Sequence, residues 1–174
     1  MSTEPIRAAA AADLEEVHFD SPMEARIADL QSRYPTARAA LLPILWECQE
    51  RFGWISHGVI RAVADRLGES PATIEGVVTF YTMYRTEPPA RFVLQVCETL
   101  SCDVSGGRDL LDHLHRRLGI GPGETTADGK FHIQGVQCLG ACGAAPVIQI
   151  NDDYYENLIP AKLDAVLDEL AGKE

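Results

Sequence analysis

Apolar residues in the first half of the chain recur every three or four positions, which is the spacing of amphipathic helices. Four helical segments are predicted, and the first opens with a capping box at residues 21–24. Thr36 is expected to cap the second, in which Pro43 should kink the helix or delay its start. The third begins after Ser56, and Ser70-Pro71 opens the fourth. Together these segments predict a small helical bundle.

The pattern changes at residues 85–90, a stretch that contains two prolines in succession and breaks regular structure. Beyond it, segments that alternate like strands are interleaved with helical ones. Strands are predicted at Arg91–Cys97, Lys130–Val136 and Val147–Ile150, with helices at Asp109–Leu118 and from Pro160 onward. This order predicts a small sheet with helices packed on its faces.

The fold class predicted for the whole chain is therefore α+β, with a helical bundle first and a sheet domain second. We expect a flexible tail at residues 1–20, a helical domain at 21–84, a linker at 85–91 and the sheet domain at 92–174.

The charge balance restricts the classes of partner. The chain carries 26 acidic against 15 Lys and Arg residues, a formal net charge of −11. Such a surface repels phosphate backbones and anionic headgroups, so neither nucleic acid nor a membrane surface is an expected partner. The longest nearly apolar run, residues 39–46, is too short to span a bilayer, and no direct membrane insertion is expected. The N-terminus fits neither a secretory signal nor an Arg-rich transit peptide, which predicts a cytoplasmic chain.

Four of the five cysteines form two close pairs, Cys97/Cys102 and Cys138/Cys142, separated by 35 residues. In a cytoplasmic protein, paired cysteines are better explained as metal ligands or redox groups than as structural disulfides. The first cysteine of each pair closes a predicted strand, and the second is expected in the loop beyond it. Two strand ends of one sheet can bring both loops together, so that four sulfurs converge. Cys48 is predicted to be structural, because it lies among apolar helix residues.

The spacing leaves three kinds of site open. A [2Fe–2S] cluster and a structural Zn²⁺ ion both use four cysteines, and spacing alone favours the cluster only slightly. Pairs of redox-active thiols are disfavoured because neither pair has the C-x-x-C spacing. Four glycines near the cysteines are expected to let backbone N–H groups approach the sulfurs: Gly106, Gly107, Gly140 and Gly143.

Other motifs do not indicate catalysis. The glycine-rich stretch 119–123 follows a helix rather than a strand, so it is not a dinucleotide-binding fingerprint. No catalytic residue is predicted, and neither NADH nor a flavin is expected to bind this chain. The apolar and aromatic run at residues 76–84 is expected to be either core or a subunit contact.

Six segments together resemble the E-type subunit of NADH:quinone oxidoreductase (respiratory complex I). They are ALLPILWECQERFGWIS, GVVTFYTMYR, RFVLQVC, CETLSC, LGIGPGETTADGKF and VQCLGACGAAPVIQINDDYYENL. The same family includes small iron–sulfur subunits of NAD-linked formate dehydrogenases and bidirectional hydrogenases. The resemblance implies a thioredoxin-like domain with one [2Fe–2S] cluster, whose ligands carry over to Cys97, Cys102, Cys138 and Cys142.

The resemblance also implies a place in a larger enzyme, which has no complete active site in this chain. The helical region would dock on a flavin- and NADH-binding (F-type) subunit, which would hold the FMN and NADH, alongside further iron–sulfur subunits. The complex could lie peripherally on the cytoplasmic face of the inner membrane. Residues 98–101 differ from the sequence common in respiratory members, so a formate dehydrogenase or hydrogenase subunit stays an alternative. Four thiolate ligands predict a potential nearer about −400 mV than the Rieske range.

Overall fold

The computed structural model of the chain describes residues 16–173 and separates into two compact units between Pro89 and Ala90. Most of the predicted tail, residues 1–15, lies outside the described residues. Within the described part, no helix is long and apolar enough to cross a membrane.

From residue 16 onward, the first unit consists of four α-helices and a short 3₁₀ turn, and the apolar spacing predicted its four helical segments. The helices are α1 (Ser21–Ser32), α2 (Leu41–Phe52), α3 (His57–Leu67) and α4 (Pro71–Phe80). Their inward faces form one apolar core, against which Val17 and Phe19 also pack. Cys48 lies in this core and is fully buried, as expected from its apolar neighbours on the helix.

The helix starts differ from the prediction in detail. Asp20 caps α1, accepting a hydrogen bond from the Met23 N–H at 3.0 Å, so the predicted capping box at 21–24 was one residue late. Asp is as good a cap as Ser, and the missing N–H of proline costs nothing in the first turn. Thr36 caps the 3₁₀ turn Ala37–Ala40 rather than α2. Pro43 falls in the first turn of α2, so its predicted delay of the helix start is confirmed.

The aromatic run at 76–84 divides between core and surface. Val78 and Tyr84 are buried, and the Tyr84 hydroxyl donates to the Leu42 carbonyl at 2.8 Å. Phe80, in contrast, is 76% exposed, and Met83 is 45% exposed. Part of the run is therefore core, and the rest is an apolar surface of the helical unit.

Over its described residues, the second unit is a four-stranded mixed sheet with three α-helices and a short 3₁₀ turn, Cys142–Ala144. The strands are β1 (Phe92–Cys97), β2 (Phe131–Val136), β3 (Ile148–Ile150) and β4 (Asp153–Tyr155), in the order β2-β1-β3-β4. The pair β1–β2 is parallel, whereas β1–β3 and β3–β4 are antiparallel. The helices are α5 (Leu100–Val104), α6 (Gly107–Leu118) and α7 (Pro160–Ala171). Alternate residues of β1 and the leucines of α6 and α7 share one apolar core.

Two predictions in this unit were wrong. The segment after Cys97 was expected to be a loop, but it contains α5. Helix α6 begins at Gly107, two residues before the predicted start at Asp109. Gly106, with φ at +103°, separates the two helices, and Gly107 packs directly under α5. The α+β class with its helical first half is as predicted.

Candidate metal centre

The sheet explains why two distant cysteine pairs come together. In the parallel pair β1–β2, Cys97 lies opposite Val136, so both strands end at the same level. Cys138 follows two residues after the end of β2. Because adjacent parallel strands end at the same edge of a sheet, the turns that follow these two strands lie side by side at that edge. The pairing therefore brings the two cysteine turns to one place.

The first pair is buried. Cys97 closes β1 and Cys102 lies on α5, and each is 2% exposed. The N–H of Cys102 donates to the Thr99 carbonyl at 2.9 Å, which forms the first turn of α5. A Cβ on Gly107 would lie 2.8 Å from the Cys102 carbonyl oxygen. The close approach of α6 to this turn therefore requires a glycine.

The second pair is exposed and its sulfurs are close together. The Sγ atoms of Cys138 and Cys142 are 3.3 Å apart, and both side chains face solvent. The N–H of Gly140 donates to Cys138 Sγ at 3.4 Å. Gly140 has a φ of +83°, a conformation that side chains disfavour, and this turn brings the amide over the sulfur. The expectation that a glycine lets an amide reach a sulfur is confirmed at this residue.

The two turns touch each other. Cys97 and Cys102 form a small apolar cluster with Val147, against which Leu139 packs from the second turn. The Leu139 backbone amide lies beside the Cys97 sulfur, and the Ser101 side chain lies beside Cys142. Each turn thus places a residue beside a cysteine of the other turn.

The thiols influence one another's ionisation, as groups at one site do. Burial raises the pKa of Cys97, but hydrogen bonds from the Thr99 and Leu139 backbone outweigh it, so the net shift is downward. Burial and the neighbouring Cys97 raise the pKa of Cys102. The pKa of Cys142 is raised, first by its hydrogen bond with Cys138. One thiolate thus disfavours a second beside it, and a bound cation would remove that cost.

The donor set fits a thiolate-bound metal centre. All four cysteines are free thiols, a soft set that suits iron–sulfur clusters or zinc. The Thr99 hydroxyl is buried beside the Cys97 sulfur and makes no hydrogen bond of normal geometry within residues 16–173. Such a hydroxyl is placed to donate to a sulfur that carries more negative charge. In the same residues no three His, Cys, Asp or Glu side chains are arranged to hold a metal ion. The fit lies in donor type and in the contact between the turns.

Comparison with protein families decides the class of this chain. The model of the thioredoxin-like [2Fe–2S] ferredoxin family matches residues 27–171. The chain belongs to this family. The resemblance inferred from the sequence is thereby confirmed, and so is the family's fold for the sheet unit.

Relatives and solved structures of this ferredoxin family extend the match. An E-type subunit of the NADH-quinone oxidoreductase of Rhizobium meliloti is 43% identical over 152 residues, which cover 87% of this chain and 90% of the relative. NADH-quinone oxidoreductase subunit 2 of Thermus thermophilus is 46% identical over 146 residues, covering 82% and 81%. A chain of an NAD⁺-reducing [NiFe]-hydrogenase matches with a TM-score of 0.69 at 24% identity. That match covers 77% of this chain but only 22% of the hydrogenase chain, and it shows the fold alone.

Sequence reasoning missed one contact to the ferredoxin turn at 138–142. The Tyr154 hydroxyl, on β4, donates to the Leu139 carbonyl at 3.0 Å. Nothing in the spacing of the cysteines indicates this tyrosine, because its approach depends on the strand order. Two of the expected glycine roles also differ: the Gly106 N–H donates to the Asp103 carbonyl at 3.1 Å, and Gly107 accommodates a carbonyl rather than a sulfur.

Proposed function

We propose that this chain is an electron-transfer subunit of NADH:quinone oxidoreductase that holds one [2Fe–2S] cluster on Cys97, Cys102, Cys138 and Cys142. The single observation that carries the proposal is the contact between the two cysteine turns. The match to relatives named as subunits of that enzyme over most of their length supports the choice of enzyme.

A bound [2Fe–2S] cluster supplies one-electron transfer, and the protein sets its position, burial and potential. Cys97 and Cys102 would hold the buried side of the cluster, where Val147 and Leu139 exclude water. Cys138 and Cys142 would hold the exposed side, where a redox partner can approach. Four thiolates favour a low potential, of about −400 mV, and the net charge of −11 acts in the same direction.

The partner in this proposal is the flavin- and NADH-binding subunit, with further iron–sulfur subunits beyond it. FMN and NADH would bind there, because this chain has no fingerprint for either. We place the complex in the cytoplasm, peripheral to the inner membrane, and we keep the domain bounds 21–84 and 92–174 as part of the proposal. The equivalent subunit of a formate dehydrogenase or hydrogenase is the alternative, which the hydrogenase-like fold allows.

The cluster is tested by purifying the full chain without air and measuring iron, acid-labile sulfide and the visible spectrum. We expect a red-brown protein with about two irons and two sulfides per chain. Replacing any one of the four proposed ligands with Ala should bleach it, whereas the matched variant Cys48→Ala should keep the colour.

Three results would contradict the cluster proposal. A colourless protein that contains zinc would indicate a zinc-stabilised interaction module. A chain that reduces disulfides and tolerates loss of Cys102 or Cys142 would indicate a thiol oxidoreductase. Bleaching by Cys48→Ala alone would remove the ligand assignment.

The choice of enzyme is tested separately, by purifying the chain with its native partners. We expect a flavin-bearing subunit to co-purify together with proteins of a quinone-reducing complex. Recovery with a formate dehydrogenase or a hydrogenase would support the alternative instead.

A further inference from the structure

One peptide group in the second cysteine turn is hydrogen-bonded at both ends. This is the peptide that joins Leu139 to Gly140. Its carbonyl oxygen accepts a hydrogen bond from the Tyr154 hydroxyl at 3.0 Å. Its N–H donates to Cys138 Sγ at 3.4 Å. Tyr154 and the cysteine sulfur are therefore connected through a single amide.

A hydrogen bond to the carbonyl of an amide strengthens the bond that its N–H donates. Polarisation along such chains adds about 10–30% per bond in condensed phases. The Tyr154 contact also restricts the orientation of the peptide, next to a glycine whose backbone has more conformational freedom than that of other residues. Both effects favour a well-directed N–H···S contact at Cys138.

The sheet holds Tyr154 in the position that this contact needs. Tyr154 lies on β4 opposite Gln149 of β3, and β3 in turn pairs with β1, which ends in Cys97. The tyrosine thus ties the exposed turn to the strands that carry the buried cysteine. Tyr154 is 37% exposed, so the rest of the protein packs around only part of its side chain.

We propose that Tyr154 is a positioning residue for Cys138: through the Leu139–Gly140 peptide it directs an amide hydrogen bond onto the ligand sulfur and raises the reduction potential of the bound cluster. The inference rests on the proposed function. Hydrogen bonds to ligand sulfurs stabilise the more negative, reduced cluster, which is why they raise its potential.

The test is Tyr154→Phe in the full chain, which removes one oxygen and keeps the ring. We expect its iron and sulfide content to equal that of the parent, while the midpoint in a redox titration followed by EPR falls. At a fixed ambient potential, the ratio of oxidised to reduced cluster should rise about threefold, which corresponds to about 28 mV for a one-electron couple. The matched control is Tyr34→Phe, which removes a hydroxyl of similar exposure (40%) from the helical unit and should leave the midpoint unchanged.

Two outcomes would overturn this inference without affecting the proposed function. One is an unchanged midpoint in Tyr154→Phe with a full cluster. The other is loss of the cluster from Tyr154→Phe but not from Tyr34→Phe, since the hydroxyl would then be needed for assembly rather than for the potential. Failure of the parent chain itself to bind iron would instead refute the proposed function.

Discussion

At the scale of single residues, the tightest backbone contact beside the candidate centre lies at Gly107. A Cβ there would come within 2.8 Å of the Cys102 carbonyl oxygen and 3.2 Å of the Cys97 carbonyl oxygen. We expect Gly107→Ala to lower the free energy of unfolding by about 1–3 kcal/mol, because the backbone of both cysteines must shift. Urea unfolding followed by far-UV circular dichroism measures this.

Gly76→Ala is the control for that substitution. Gly76 lies inside α4, and a Cβ there would meet nothing within 4 Å. A helix interior favours Ala over Gly, so this variant should gain roughly 0.5–1 kcal/mol. Equal stability of the two variants would show that the contact at Gly107 is not tight.

The candidate ligands could be found from the sequence because their spacing is local. The partners of these ligands could not. Ser101 and Tyr154 reach the second turn only because α5 and β4 flank it, and no periodic pattern encodes that proximity. Thr99 was likewise visible only as a residue between two cysteines, whereas the structure places its hydroxyl beside a sulfur.

At the scale of elements, one buried side chain connects α2 to the chain that follows α4. Gln49 is 1% exposed, its amide donates to the Met83 carbonyl at 3.0 Å, and its carbonyl accepts from the Arg85 N–H at 2.7 Å. We expect Gln49→Met, which preserves the volume but loses both hydrogen bonds, to cost about 1–3 kcal/mol. Both tryptophans, Trp46 and Trp54, lie in this unit, so their fluorescence follows its unfolding.

Glu50→Met provides the comparison at the next position of α2. Glu50 is exposed, and its replacement should change the unfolding free energy by less than about 0.5 kcal/mol. If both variants unfolded at the same urea concentration, Gln49 would not hold the segment in place.

Elements with a long periodic pattern were predictable, and the shortest one was not. Helix α3 begins after Ser56 and ends at Gly68 as expected, since a serine cap and a C-terminal glycine bound its apolar face. Helix α5 has only five residues, too few for a repeating apolar pattern. Its Cys102 packs against Cys97 and Val147, and its backbone packs against Gly107 of α6. These are tertiary contacts, which a local sequence pattern does not encode.

At the scale of the whole molecule, two buried acids should make stability depend on high pH. Burial, followed by the charge of Glu47, raises the pKa of Cys48 from 9.0 to about 12. Burial, followed by Tyr81 and Cys48, raises the pKa of Tyr84 from 10.0 to about 12. Groups with a raised pKa in the folded state contribute their full stability below the unfolded pKa and lose it as pH rises toward the folded one. Stability should therefore fall above about pH 9.

Cys48→Ala should flatten this dependence. One pKa unit corresponds to about 1.4 kcal/mol, so between pH 8 and 10.5 the thiol should account for a loss of about 2 kcal/mol. Tryptophan fluorescence during urea unfolding at both pH values measures the difference. A loss of the same size in the variant would show that Cys48 does not titrate with unfolding.

The two-part plan of the molecule followed from composition, but the order of its strands did not. A break at residues 85–90 and a change of periodicity indicate separate helical and sheet parts. The order β2-β1-β3-β4 depends on pairings between segments that lie far apart along the chain. The two cysteine turns converge because β1 and β2 are neighbours in that order. The sequence allowed this arrangement but did not require it.

The parallel register that sets Cys97 opposite Val136 has a consequence for homologues of this chain. The two turns are aligned because β1 and β2 end at the same level. The number of residues in the chain between the two turns does not set this alignment. Insertions and deletions between α6 and β2 can therefore accumulate without disturbing the centre, provided that they keep the hydrogen bonds of Gly123, Glu124 and Thr126 to β2. A single-residue slip within β2 would displace one turn by a full strand step of about 3.3 Å. Searches for related centres should accordingly hold each short cysteine spacing fixed and let the long interval between them vary.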